Sequence, residues 1–149
     1  MALLATQEQA RFLWFLSWWG LATGTVGIWN GWVFCGSGVV IGSFFARAYW
    51  RNPVYSWRRT LDIAWVQLLI WSHAVAVWRW APTWVATVYL ATQLAGAGMY
   101  GVSWWFTQRQ RLLAATACHA TVHAAANLSL IFLYSQCSCS SDTEMRQKG

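Results

Sequence analysis

Charge is what this sequence has least of. Only 9% of its 149 residues are Asp, Glu, Lys or Arg, against roughly 25% in ordinary soluble domains. Such a chain has too little polar surface to stay dispersed in water, and with 58% hydrophobic residues its natural solvent is lipid. Proline is scarce too, with two residues, and acidic side chains number four. Four cysteines occur without any CxxC spacing, which leaves no zinc-finger or redox motif. Cys35 and Cys118 lie within apolar runs as packing residues, and Cys137 and Cys139 sit in the polar C-terminal tail. The opening residues, MALLATQEQAR, lack the basic n-region of a signal peptide, so the first apolar run is read as a retained helix.

What is present is apolar sequence in long runs, punctuated by arginine and by fourteen tryptophans. The pattern predicts an all-α, multi-pass membrane bundle of about five helices, over 12–29, 32–49, 60–80, 83–106 and 112–134, followed by a polar, disordered tail, 135–149. The run from Phe12 to Trp50 is too long for one crossing of a ~30 Å hydrocarbon core, and Asn30-Gly31 is the strongest turn dipeptide within it. Gly20/Gly24, Gly27/Gly31 and Gly38/Gly42 recur at four-residue spacing, a pattern that lets membrane helices approach closely. It predicts a tight hairpin between the first two helices. Tryptophans cluster at the predicted helix ends, as an aromatic belt would.

The formal charge of +6 does not point to nucleic acid, because the arginines fall between apolar runs. They read as topology signals and contacts to lipid headgroups. Arg11, the group Arg47, Arg51, Arg58 and Arg59, and the pair Arg109 and Arg111 share one side if there are five crossings. That places the N-terminus inside and the C-terminus outside.

The polar residues that remain are few and spaced. His119, His123 and Asn127 follow at four-residue intervals in LLAATACHATVHAAANLSLIFLY, on one helix face with Thr116 and Tyr134 near the same line. His73, flanked by Ser72, and Gln67 lie inside the third helix, with Asp62 near its start and Gln93 inside the fourth. Intramembrane ionisable groups usually face a bundle interior or a wet cavity. An HxxxH pair with a third imidazole from another helix can hold Zn²⁺ and leave one coordination position open. His73, His119 and His123 are therefore the candidate metal ligands, with Asn127, Gln93 and Thr116 around them. His73 of the third helix and one histidine of the fifth could also form a bis-imidazole pair for a haem.

The ending CHATVHAAANLSLIFLY resembles the last helix of the CREST-type membrane hydrolases, the alkaline ceramidase, Per1-like and adiponectin-receptor-like proteins. That resemblance implies zinc-dependent hydrolysis of a lipid amide or ester, with Asp62 and Ser72 as candidate catalytic groups. It covers one helix, and Leu69 stands four residues before His73 where that family carries a serine. Gly36-Ser37-Gly38 resembles, more briefly, the nucleophile turn of rhomboid proteases. The alternatives are a non-enzymatic membrane protein that binds a small ligand or ion, a channel-like protein, or a structural subunit of a membrane complex. The partners expected are the bilayer, a lipid or small molecule, and another copy or subunit.

The arginine distribution sets a topology test. Cysteine-accessibility mapping is expected to place residues 51–59 and 109–111 on one side of the membrane and residues 138–149 on the other. A tail on the arginine side would mean an even number of crossings.

Overall fold

The computed structural model describes residues 5–54 and 56–137. Among these residues it is all-α, with α1 Gln7–Leu16, α2 Trp19–Trp29, α3 Val33–Trp50, α4 Trp57–Trp80, α5 Thr83–Gln108 and α6 Leu112–Gln136. The expected boundaries hold within a few residues except in the first helix. That helix starts earlier than expected, where Thr6 and Gln9 form a reciprocal capping box. It also breaks. At the junction of α1 and α2 the Trp18 amide bonds to Phe15 rather than one residue further back, and the Ser17 hydroxyl donates to the Leu13 carbonyl at 2.9 Å. Such back-bonding competes with the helical ladder and bends it. Residues 135 and 136 continue α6; the rest of the expected tail, apart from Cys137, lies outside the described residues, Cys139 included.

The helices form a ring. Going round it, α2 packs on α3, α3 on α4, α4 on α5, α5 on α6, and α6 returns to α2. Short connections make sequential neighbours antiparallel, and the closing pair, α6 with α2, runs parallel. One end of the ring carries Arg47, Arg51, Arg58, Arg59, Arg109 and Arg111 and is called the arginine end below. The far end carries the α2–α3 and α4–α5 turns and the end of α6, where Trp32 meets Trp80 at 6.4 Å and donates from Nε1 to the Cys137 carbonyl. Of these helices α3, α4 and α6 are each long and apolar enough to cross a membrane.

The α2–α3 turn falls at Asn30-Gly31 as expected. Gly31 has φ 85°, the Trp32 amide donates to the Gly27 carbonyl and the Gly31 amide to Ile28. This is the glycine-terminated helix end, which an L side chain would strain. The other end of α5 uses the same bond pattern, with the Arg111 amide on the Phe106 carbonyl and Gln110 at φ 56° in place of glycine.

Glycine packing differs from the expected hairpin in one respect. The α2–α3 contact is made by Gly24 against Gly36: a Cβ on either would lie 2.6 Å from the other's carbonyl oxygen. Gly38 and Gly42 face away from α2, toward Leu69 and Trp65 of α4. The reason is angular, since residues 36 and 38 lie about 200° apart on a helix. Trp65 fastens that second seam, donating from Nε1 to the Gly38 carbonyl at 2.9 Å. The aromatic belt is also only partial. Trp32 and Trp50 are buried, and Trp71, in the middle of α4, is 69% exposed.

Overpacking a close helix contact costs about 1–3 kcal/mol. Gly36→Leu is therefore expected to lower the thermal midpoint in detergent by several degrees. Gly98→Ala, where an added Cβ meets nothing within 4 Å, is expected to leave it unchanged. Equal midpoints for the two variants would remove the Gly24–Gly36 contact as a determinant of the fold.

Candidate functional site: a cavity inside the ring

The five-helix ring is not filled. A cavity of about 370 Å³ runs inside it, lined by residues of every helix, α2 contributing only Gly20. Its existence follows from where α4 stands. α4 approaches α3 closely and α5 only slightly, and makes no close backbone approach to α6. The gap to α6 is bridged by side chains. His73 Nδ1–H donates to the Leu69 carbonyl at 2.8 Å, and the Tyr134 hydroxyl donates to His73 Nε2 at 2.7 Å. The partners assign this tautomer, because a carbonyl can only accept. His73 and Tyr134 are almost wholly buried, at 1% and 0% exposure. Tyr134 belongs with Tyr89, Val77, Val85 and Leu133 to the core that fills the far end, and the cavity ends against it at His73 and Tyr89.

Toward the arginine end the lining becomes polar and aromatic. His119 lies edge-on to Trp50 at 5.1 Å, near Tyr100 at 5.8 Å and against His123 at 5.0 Å. Arg59 reaches the Tyr49 hydroxyl and acts on Asp62 and His119. Asp62 Oδ1 is buried and has no hydrogen-bond partner among the described residues. Neither imidazole of His119 and His123 has one either, and both rings line the cavity.

The sequence-predicted residues thus divide. The structure brings Asp62, His73, Gln93, Thr116, His119, His123 and Asn127 to one cavity. Three of them are already committed to holding helices together. Asn127 accepts from Thr23 of α2 at 2.7 Å and donates to the His123 carbonyl at 2.8 Å. Gln93 donates to the Ser129 hydroxyl at 2.9 Å, and His73 has both nitrogens occupied. Ser72 does not join them: its hydroxyl donates to the Leu69 carbonyl at 3.0 Å, and it does not line the cavity.

The three histidines do not meet at one point. The partner of His73, Tyr134, is eleven residues beyond His123 on α6, about 16 Å along the helix. Among the described residues no three His, Cys, Asp or Glu side chains are placed to share a metal. The residues as placed do not fit a three-histidine zinc site. Asp62 and His73 lie at opposite ends of the cavity, as their spacing on α4 requires.

Several lining residues were not singled out by the sequence: Tyr49, Trp50, Arg59, Tyr100, Ser103 and Trp104. Aromatics near helix ends read as belt residues, yet Tyr49 and Trp50 at the end of α3 are buried against the cavity, while Tyr100 and Trp104 of α5 stand at its exposed edge. The exposed members of the lining are Val66 and Gln67 on α4 and Ala97, Tyr100 and Trp104 on α5. The cavity therefore opens sideways, between α4 and α5, in the half nearer the arginine end.

Comparison of the chain with protein-family models, curated proteins and solved structures returns no match. The function has to be argued from the cavity itself.

The two kinds of histidine give a test. Tyr134→Phe strands the buried His73 nitrogen, which costs about 1–3 kcal/mol. A fall of several degrees in thermal midpoint is expected, partly recovered by His73→Leu with Tyr134→Phe, because losing both partners costs less than losing one. His123→Ala, opening onto space that is already empty, is expected to change the midpoint by no more than about 2 °C. A larger loss for His123→Ala than for Tyr134→Phe would invert the assignment.

Proposed function

We propose that the protein is a multi-pass membrane protein, its five rods crossing the bilayer with the N-terminus inside, and that it binds a small amphipathic molecule in the cavity without catalysis. The observation that carries this reading is the lateral opening between α4 and α5. An opening on the flank of a bundle faces lipid and admits a molecule already dissolved in the bilayer.

The lining suits such a molecule. Val39, Leu69, Ile70 and Leu130 offer an apolar surface deep in the cavity, and Asp62, His119 and His123 offer polar groups at the arginine end. The volume lies in the range of small-molecule sites, ~300–1,000 Å³. An unpartnered buried carboxylate oxygen is costly, so the polar end of the ligand carries a hydrogen-bond donor, an alcohol or an amine, that meets Asp62. The filled far end disfavours a through channel. The zinc-dependent hydrolase reading would need His73 to leave Tyr134 and travel most of the cavity's length.

Gly96 makes the reading testable. It is buried, it lines the cavity, and an added Cβ meets nothing within 4 Å. Gly96→Phe should fill the space without disturbing the fold. A diazirine-bearing long-chain alcohol is expected to label cavity residues of α4 and α5 in the unaltered protein. Labelling should fall at least fivefold in Gly96→Phe and several-fold in Asp62→Leu, with thermal midpoints unchanged. Undiminished labelling in Gly96→Phe would sink the proposal, and near-stoichiometric zinc in the purified protein would reinstate the hydrolase.

A further inference from the structure

A second concavity lies outside the ring, at the arginine end, where α1 rests against the last turns of α3. It has a volume of about 850 Å³ and is lined by Arg11, Arg47 and Arg51 together with Trp14, Phe44 and Trp50. Among the described residues no carboxylate lines it. Glu8, one turn before Arg11 on α1, is exposed and does not contribute.

The central arginine is fixed by rings. The Arg47 guanidinium carbon lies 3.6 Å from the centroid of Trp18, 5.4 Å from Trp14 and 5.3 Å from Phe44. Stacking of this kind holds a guanidinium while leaving its edge free to bond. Among the described residues the Nε of Arg47 is buried without a hydrogen-bond partner, and so is Nε1 of Trp50, a residue only 7% exposed that stands between the groove and the internal cavity. Two buried donors without acceptors, beside three positive charges, call for an anion with several oxygens. The carbonyls ending α3 oppose an anion with only about half a charge, which three guanidinium groups outweigh.

The surface beyond the groove indicates what carries that anion. Phe44, Ile41 and Phe34 are spaced along one face of α3 and are 53%, 42% and 82% exposed. They form an apolar track from the groove toward the far end, which suits an acyl chain and which free phosphate would not use. We infer that the groove seats the phosphate of an anionic phospholipid, with its chains along this face of α3. The inference rests on the membrane reading; none of the three arginines that carry it lines the internal cavity.

The test uses the full chain in detergent, with lipid adducts followed by native mass spectrometry. Phosphatidylglycerol is expected to be retained at least tenfold more strongly than phosphatidylcholine of the same chain length. Arg11 and Arg51 are exposed and safe to alter. A guanidinium near an anionic headgroup contributes about fivefold, so R11Q/R51Q should weaken phosphatidylglycerol retention roughly 25-fold, and R47Q should weaken it at least fivefold. R109Q/R111Q removes the same charge from the same end and should change it no more than about twofold. Equal losses in the two double variants would mean a diffuse charge effect and overturn the site. Equal retention of the two lipids would also overturn it, and displacement of phosphatidylglycerol by millimolar inorganic phosphate would overturn the lipid assignment. Should R47Q fail to fold, the exposed pair and the lipid comparison still decide. A chain that stays dispersed without any detergent would sink the membrane reading itself, whereas a detergent-requiring chain without lipid preference sinks the groove alone.

Discussion

The hydrogen bond from Tyr134 to His73 holds the ring closed and also holds it open. α4 is anchored along one side by α3, through Trp65 and the glycine seam, and is tied to α6 across the interior by this pair. Two aromatic-sized side chains meeting end to end set a distance that a leucine pair would shorten. The cavity is a consequence of that spacing. In a low-dielectric interior such a bond is strong, and either partner left alone is costly, so the separation of α4 from α6 is enforced.

The two halves of the ring are built on opposite principles. On one side Gly24 and Gly36 bring α2 and α3 to backbone contact, and Gly27 leaves room for the Tyr134 ring. On the other side α5 carries Gly96, Gly98 and Gly101, none of which has a neighbour where a Cβ would stand. The same residue type packs in one place and leaves space in the other. Dispersion contacts hold the first half at close approach. The second half has a loose seam between α4 and α5, and through it the cavity reaches the flank of the bundle.

Polar residues follow the same division. Asn127, Gln93 and Ser103 spend their hydrogen-bonding capacity on other helices, with Ser103 donating to the Ala115 carbonyl at 2.8 Å. Asp62 keeps Oδ1 without a partner among the described residues, and His119 and His123 turn to the cavity. Buried polar groups in hydrocarbon are expensive unless satisfied, and so these three are the groups that a ligand would complete. Arg47 Nε at the outer groove, and Trp50 Nε1 between that groove and the cavity, are likewise buried donors that meet no acceptor among the described residues.

The sequence by itself determined the all-α class and most of the chain's course. Scarce charge, five apolar runs, the Asn30-Gly31 turn and the arginine clusters are properties of composition and local spacing, and hydrophobic length needs no tertiary information to be read. The shared face of His119, His123 and Asn127 was legible for the same reason, since helical periodicity is local. Which helices stand beside which, and at what distance, was not. Nothing in the spacing of His73 shows that it meets Tyr134 three turns beyond His123, nor that Gly38 faces α4 while Gly36 faces α2. Those facts depend on how each rod is rotated and shifted against its neighbours. Rotation and shift are decided by the sum of many side-chain contacts across the ring, which no single helix encodes.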